Sequence, residues 1–254
     1  MRIAQITDTH LTAEVPARTE NLRRCVAQIN SLNPLPDLVV HTGDVTHNGT
    51  PEEYETARKL LDLLAAPFVV LAGNKDKRPA MFEAFSQRGI PRSEFAFVQY
   101  ALDQFEVRIV CLDTVSENSN KGDLCSMRLE DLEALLSAAP DTPTAIFMHH
   151  PPFEVSTIPD PFQFERRESV SGFLDIIARH QQVRRIYCGH VHRPYEASAG
   201  RVPAIVMTAV ALDLRKGKLA PVTEDTPLYL LHQIDAGTGG VVTLQSGAEG
   251  AAHR

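Results

Sequence analysis

Met1-Arg2-Ile3-Ala4-Gln5-Ile6-Thr7-Asp8-Thr9-His10 reads as a short strand that runs directly into two metal-ligating side chains. Ile3, Ala4 and Ile6 supply the apolar run, and Asp8 and His10 follow at its carboxyl end. The arrangement recurs along the chain. Apolar runs of strand length lie at residues 3–7, 37–42, 68–72, 107–112, 144–148 and 185–188. Between them, residues 20–32, 51–64, 79–88, 128–138 and 170–180 have helical length and pattern. In the second of these, Tyr54, Ala57, Leu60, Leu61 and Leu64 recur at spacings of three and four and make one core-facing stripe. Thr50 is placed to cap it, with Pro51 in its first turn. Strands alternating with helices predict an α/β layered fold.

After Gly189 the texture changes. Residues 204–211, 228–234 and 241–244 read as strands with little helix between them. No linker or internal repeat interrupts the chain, so residues 1–246 are expected to form one domain, with 247–254 a frayed tail. Two segments fit no element: 151–167, rich in Pro and Phe, and 211–225. Long irregular loops in a compact domain usually carry function.

The composition narrows the function. With 254 residues, 43% hydrophobic and 22% charged, the chain suits a folded α/β domain and excludes disorder. Lys plus Arg is 25 against 32 Asp plus Glu, a net charge of −7 that leaves no broad electrostatic footprint for nucleic acid. No apolar run approaches the roughly 20 residues that span a bilayer, and the first residues lack a charged-then-apolar signal pattern. Cys25, Cys111, Cys125 and Cys188 form no C-x-x-C pair; Cys111 and Cys188 sit in apolar runs as small core residues, which suits a reducing cytoplasm. Ten histidines against no tryptophan direct attention to metals.

Candidate ligands fall at successive strand ends: Asp8 and His10, Gly43-Asp44, Gly73-Asn74, His149-His150-Pro151-Pro152, and Gly189-His190-Val191-His192. The carboxyl edge of an open α/β sheet is where ligands bind. Residues i and i+2 of an extended strand exit point the same way, so Asp8 and His10 can share one ion, and His190 and His192 repeat that geometry. Seven candidate ligands exceed one ion's usual complement. With one carboxylate bridging, they match two ions about 3.5–4 Å apart, an arrangement suited to in-line displacement at phosphorus.

Taken together, Asp8-x-His10, Gly43-Asp44, Gly73-Asn74, His149 and Gly189-His190-x-His192 resemble the calcineurin-like metallophosphoesterases. The Asp-Thr-His start and His-His-Pro-Pro segment look most like the class III cyclic-nucleotide phosphodiesterase and glycerophosphodiesterase branch. The resemblance covers about residues 2–210. It implies a four-layer α/β/β/α sandwich with two central mixed sheets and a dinuclear site on their common edge. It also implies that Asp8, His10 and His192 hold one ion, that Asn74, His149 and His190 hold the other, and that Asp44 bridges. His150 would then stand behind the ligands or face the substrate.

One position departs from the family pattern of Gly-Asn-His followed by an acid: this chain has Gly73-Asn74-Lys75-Asp76. The family's histidine sits by the leaving-group oxygen. Lys75 has comparable reach, and two nearby dications would disfavour its charged form, so a leaving-group acid or clamp is one reading and a solvent-facing lysine the other. Of the other histidines, His41 reads as a packed strand residue, His47 as a loop residue and His180 as a helix-end cap. Arg166-Arg167 reads as a solvated pair.

The expectation is a hydrolase of small-molecule phosphodiesters, with a hydroxide between two Mn²⁺, Fe or Zn²⁺ ions as nucleophile. A non-catalytic scaffold, a phosphomonoesterase and a nuclease are the alternatives. Substrate choice and a homodimer contact would sit in the irregular stretches after His150 and Ala211.

Overall fold

The computed structural model describes residues 1–90, 97–217, 219, 221–235 and 240–244. The first sheet is built on β1 (Arg2–Ile6), β2 (Leu38–His41) and β3 (Phe68–Val70), all parallel. Helices α1 (Pro16–Asn30), α2 (Pro51–Leu61) and α3 (Arg78–Phe85) follow these strands in turn. The second sheet contains β4 (Tyr100–Leu102), β5 (Arg108–Leu112), β6 (Thr144–Met148), β7 (Val183–Cys188), β8 (Tyr195–Ala199) and β9 (Val202–Val206). Helices α4 (Ser126–Ser137) and α5 (Arg167–Arg179) belong to it. The chain then returns as β10 (Leu230–Ile234) and β11 (Val241–Leu244), and β10 pairs antiparallel with β1. Strand orders are β11-β10-β1-β2-β3 and β4-β5-β6-β7-β9-β8. Both sheets are mixed, and with their helices they make the expected α/β/β/α sandwich.

Period-2 alternation divides the core. Along β5, Ile109 and Cys111 join the apolar cluster shared with the first sheet, whereas Val110 and Leu112 join the cluster under α4 and α5. All five β5 residues are buried, as a strand covered on both faces requires. Cys111 and Cys188 are core residues, as read from sequence. In α2, Tyr54, Ala57, Leu60 and Leu61 face inward, and Thr50 with Glu53 forms a reciprocal capping box.

Several boundaries differ from expectation. Helix α1 starts at Pro16, four residues early, because Pro at the first helical turn is a start signal even without a side-chain cap. Strands β4 and β8 have no counterpart among the strands expected from sequence. The first has three residues, and the second, Tyr-Glu-Ala-Ser-Ala, is an edge strand with Glu196 and Ser198 exposed. The apolar run at 204–211 is strand only to Val206. Beyond it the backbone crosses the sheet edge: Val210 N donates to Thr7 O at 3.0 Å, and Ala211 N donates to Asp8 O at 3.2 Å. The tail 247–254 lies outside the described residues. Among the described residues no helix is long and apolar enough to cross a membrane.

Candidate metal centre

The exits of β1, β2 and β3 in one sheet, and of β6 and β7 in the other, meet at a common edge. Asp8, His10, Asp44, His190 and His192 all have positive φ, at 51°, 44°, 51°, 75° and 57°. They are the non-glycine residues with that conformation among those described. Left-handed backbone costs an L-residue about 1–2 kcal/mol, so strain is concentrated where the candidate ligands are. This also corrects the extended-strand argument. Asp8 and His10 do converge, but through left-handed turns, and His190 and His192 point into different clusters.

The first cluster is Asp8, His10, Asp44 and His192. Asp8 Oδ1 is 3.2 Å from His192 Nε2 and 3.6 Å from His10 Nε2. Asp44 Oδ2 is 3.3 Å from His10 Nε2, and the Nε2 atoms of His10 and His192 are 3.2 Å apart. The second cluster gathers on Asn74. Its Oδ1 is 3.2 Å from His149 Nε2 and 3.0 Å from His190 Nδ1. Asp44 Oδ2 also lies 3.6 Å from His149 Nε2, so a single carboxylate oxygen faces both clusters.

The supporting contacts orient each donor. His149 Nδ1 lies 2.8 Å from Thr42 O and His192 Nδ1 lies 3.2 Å from Leu214 O. A carbonyl only accepts, so both Nδ1 atoms carry a proton and both Nε2 atoms are turned to the site, where each can give a lone pair to an ion. His190 Nε2 donates to Gln163 Oε1 at 2.9 Å, freeing Nδ1. Asp8 Oδ2 accepts from Thr7 Oγ1 and His190 N, and Asp44 Oδ1 accepts from Lys75 N at 2.7 Å. Each carboxylate thus keeps one oxygen for the centre. Gly189 is required here, since a Cβ on it would stand 2.8 Å from Asp8 Oδ2.

The residues fit divalent transition metals. Asp8 Oδ1 and His10 Nδ1 are buried without a hydrogen-bond partner. Facing imidazole lone pairs repel unless a cation or proton lies between them. Donors at about 2.1 Å from a shared ion stand roughly 3.0–3.5 Å apart, which matches the spacings in both clusters. In the protein alone, burial opposes a charge on His149, but the Asp44 and Asp8 carboxylates outweigh it and push its pKa up to about 9. His190 is held well below its usual value, first by burial and then by the neighbouring histidines.

His150 is fully buried. Its Nε2 donates to Asn120 O at 3.1 Å and its Nδ1 accepts from Thr114 Oγ1 at 2.8 Å. Both ring nitrogens are engaged within the protein, and the ring also groups with His149 and His190 as a set of three histidines close enough to hold one ion. Lys75 is half-buried at the same edge, and among the described residues its ammonium has no acceptor. His47 packs edge-on to His10, with ring centroids 5.7 Å apart. His41 is a packed strand residue whose pKa burial pushes down to about 3. His180 is the C-cap of α5 and also bonds Glu133. Arg166 and Arg167 are exposed but engaged, with Asp123 and Glu154.

Three supporting residues had no sequence assignment. Gln163 and the Leu214 carbonyl come from the two irregular segments. Asp76, fully buried, accepts from Val45 N, Thr46 N, Gly73 N and Tyr54 OH and latches the β3 exit to the β2 exit. Burial, then the charge of Asp44, pushes its pKa up to about 6. Beside Asn74 a polar cavity of about 590 Å³ opens between the start of α3 and residues 115–120.

The calcineurin-like phosphoesterase family model matches residues 1–194. The chain belongs to that family. Among similar proteins, a probable glycerophosphodiester phosphodiesterase GpdQ of Arcobacter nitrofigilis is 33% identical, with 91% of this chain and 88% of that protein aligned. A probable cyclic nucleotide phosphodiesterase of Rhodopseudomonas palustris is also 33% identical, over 93% and 89%. The 3',5'-cyclic adenosine monophosphate phosphodiesterase CpdA of Escherichia coli is 31% identical over 76% and 70%. A dimetal phosphatase from Danio rerio shares the fold, with a TM-score of 0.69 at 15% identity, covering 91% of this chain and 92% of that one.

Proposed function

We propose that the protein is a hydrolase of small-molecule phosphodiesters, of glycerophosphodiester or cyclic-nucleotide type, working with two divalent transition-metal ions. The observation that carries this reading is the position of Asp44 Oδ2, 3.3 Å from His10 and 3.6 Å from His149. One carboxylate joins a carboxylate–imidazole cluster to an amide–imidazole cluster. Asp8, His10 and His192 would hold one ion, and Asn74, His149 and His190 the other, with Asp44 shared. The mixed oxygen and nitrogen donors suit Mn²⁺, Fe or Zn²⁺. Bound there, the ions supply a Lewis acid for the phosphoryl oxygens and an acidified water.

The chain's own groups complete the chemistry. Thr42, Leu214 and Gln163 fix three imidazoles, and Asn120 Oδ1, 3.4 Å from Asn74 Nδ2, turns the Asn74 amide so that its oxygen faces His149 and His190. Lys75, held by its own N–H on Asp44, carries an ammonium that can protonate a departing alkoxide. The adjoining cavity of about 590 Å³ has room for the esterified alcohol. We take residues 1–246 as one domain, supported by the return of β10 to pair with β1. The four free thiols favour a reducing cytoplasm.

The test is a hydrolysis panel on Mn²⁺-loaded protein: glycerophosphodiesters, cyclic nucleotides and simple monoesters. Diesters should turn over, metal removal should abolish the activity, and Asp44→Ala should lose it while remaining folded. Monoester preference, or full activity in Asp44→Ala, would overturn the reading.

A further inference from the structure

A second cavity, of about 530 Å³, is lined in part by Thr208, whose hydroxyl donates to His192 O, and shares no lining residue with either metal cluster. Its walls are largely apolar, with Ile205, Met207, Pro227, Tyr229 and Leu230 among them. One strong cation, Arg215, is set into this lining. Arg215 Nε donates to Ala209 O at 2.7 Å. Among the described residues its guanidinium forms no ion pair. Glu196 and Asp225 also line the cavity, yet neither pairs with it.

The charge that acts most on Arg215 is another cation, which makes this worse. Arg24, on α1, is also without a carboxylate among the described residues. Its Nε is buried with no hydrogen-bond partner, and its Nη2 reaches only Thr226 O at 3.4 Å. Burial first, and then Arg24, lowers the pKa of Arg215 below the usual arginine value. A half-buried guanidinium beside a like charge is costly unless an anion reaches it. The free face of Arg215 offers a planar pair of N–H donors, the geometry that takes a carboxylate, sulfonate or phosphate.

We propose that this cavity is a second ligand site, distinct from the metal edge, for a small molecule with an apolar body and a single oxyanion. The body lies among Ile205, Met207 and Tyr229, and the oxyanion meets Arg215. The site backs onto the hold on His192. Leu214 O meets its Nδ1, Lys216 N donates to its carbonyl at 2.9 Å, and Thr208 Oγ1 donates to the same carbonyl. Arg215 stands between the first two.

The probe is 8-anilinonaphthalene-1-sulfonate, compared with N-phenyl-1-naphthylamine, which has the same body without the charge. The sulfonate probe should bind the whole protein saturably at one per chain. In Arg215→Gln its affinity should fall about tenfold, the worth of a charge-assisted contact, while the neutral probe binds within about twofold of wild type. Met207→Trp, which fills the cavity, should exclude both probes. Near-ultraviolet circular dichroism checks that each variant is folded. Absence of saturable one-to-one binding, or unchanged sulfonate affinity in a folded Arg215→Gln, overturns the proposal. Equal loss of both probes in that variant also overturns it.

Discussion

Lys75 stands where the resemblance leads one to expect a histidine, and among the described residues its ammonium has no acceptor. If it protonates the leaving group, Lys75→Ala should slow alkyl diesters by about 10²–10⁴-fold. Nitrophenyl diesters, whose leaving groups need little protonation, should slow far less. Equal, small losses for both substrates would mean a lysine that only faces solvent. The candidate ligands themselves are legible because each lies within a few residues of the end of an apolar run. Their surroundings are not. Gln163 and Leu214 lie in segments without periodicity, and tertiary contacts alone bring them to His190 and His192. Nor does the sequence distinguish a histidine in left-handed backbone from one in a strand. For that reason the i, i+2 argument placed His10 correctly for the wrong reason and misplaced His190 relative to His192.

At the scale of elements, the second sheet depends on a charged joint between α4 and α5. Asp123 accepts from Arg128 Nη2 at 3.0 Å, from Arg166 Nη2 at 2.6 Å and from Ser169 Oγ at 2.8 Å. The neighbouring Gly122 exchanges backbone hydrogen bonds with Gln163 and Glu165, so the joint also holds the loop that reaches His190. Burial alone would raise the pKa of Asp123, but the Arg166 and Ser169 hydrogen bonds and the Arg128 charge bring it below the ordinary value. A depressed native pKa adds stability above the unfolded pKa and loses it as pH falls through the native one. Asp123→Asn should therefore cost about 1–2 kcal/mol at pH 7, at the low end for charged hydrogen bonds because Arg166 is exposed. The deficit should hold from pH 7 to about pH 4 and shrink as pH falls further towards the depressed native value, read from urea midpoints between pH 7 and about pH 2. A deficit constant across that range would assign the loss to packing. The sequence does not reveal this joint, because nothing in it distinguishes Arg166 from a solvated arginine and Asp123 lies in a stretch without periodicity. The capping box of α2 was partly legible, since Thr50 was read as the cap and Glu53 was not.

For the whole molecule, the decisive fact is that the centre draws on both sheets. Asp8, His10, Asp44 and Asn74 come from the first; His149, His190 and His192 come from the second. Ions bound there would pin one sheet to the other and offset the strained exits. Mn²⁺ at one hundred times its dissociation constant should stabilise by about 2.7 kcal/mol per site, or several degrees in unfolding midpoint. A chelator should reverse the gain, and Asp44→Ala should lose most of it. A midpoint indifferent to Mn²⁺ would mean that the seven side chains do not form the site. The alternation of strands and helices was enough to predict the layers. It could not show that β10 and β11 return to the first sheet, because that pairing spans more than two hundred residues of chain.

The left-handed turns at Asp8, His10, Asp44, His190 and His192 also limit how this protein can change by descent. A side chain in that conformation is exchanged without added strain only for glycine, asparagine or aspartate. Glycine offers no ligand, and the other two offer oxygen where histidine offers nitrogen. Drift at His10, His190 or His192 is therefore channelled towards an oxygen-rich donor set, and harder ions such as Mg²⁺ and Mn²⁺ prefer such sets. The backbone thus leaves open a route that alters which metal the centre selects while its architecture stays intact.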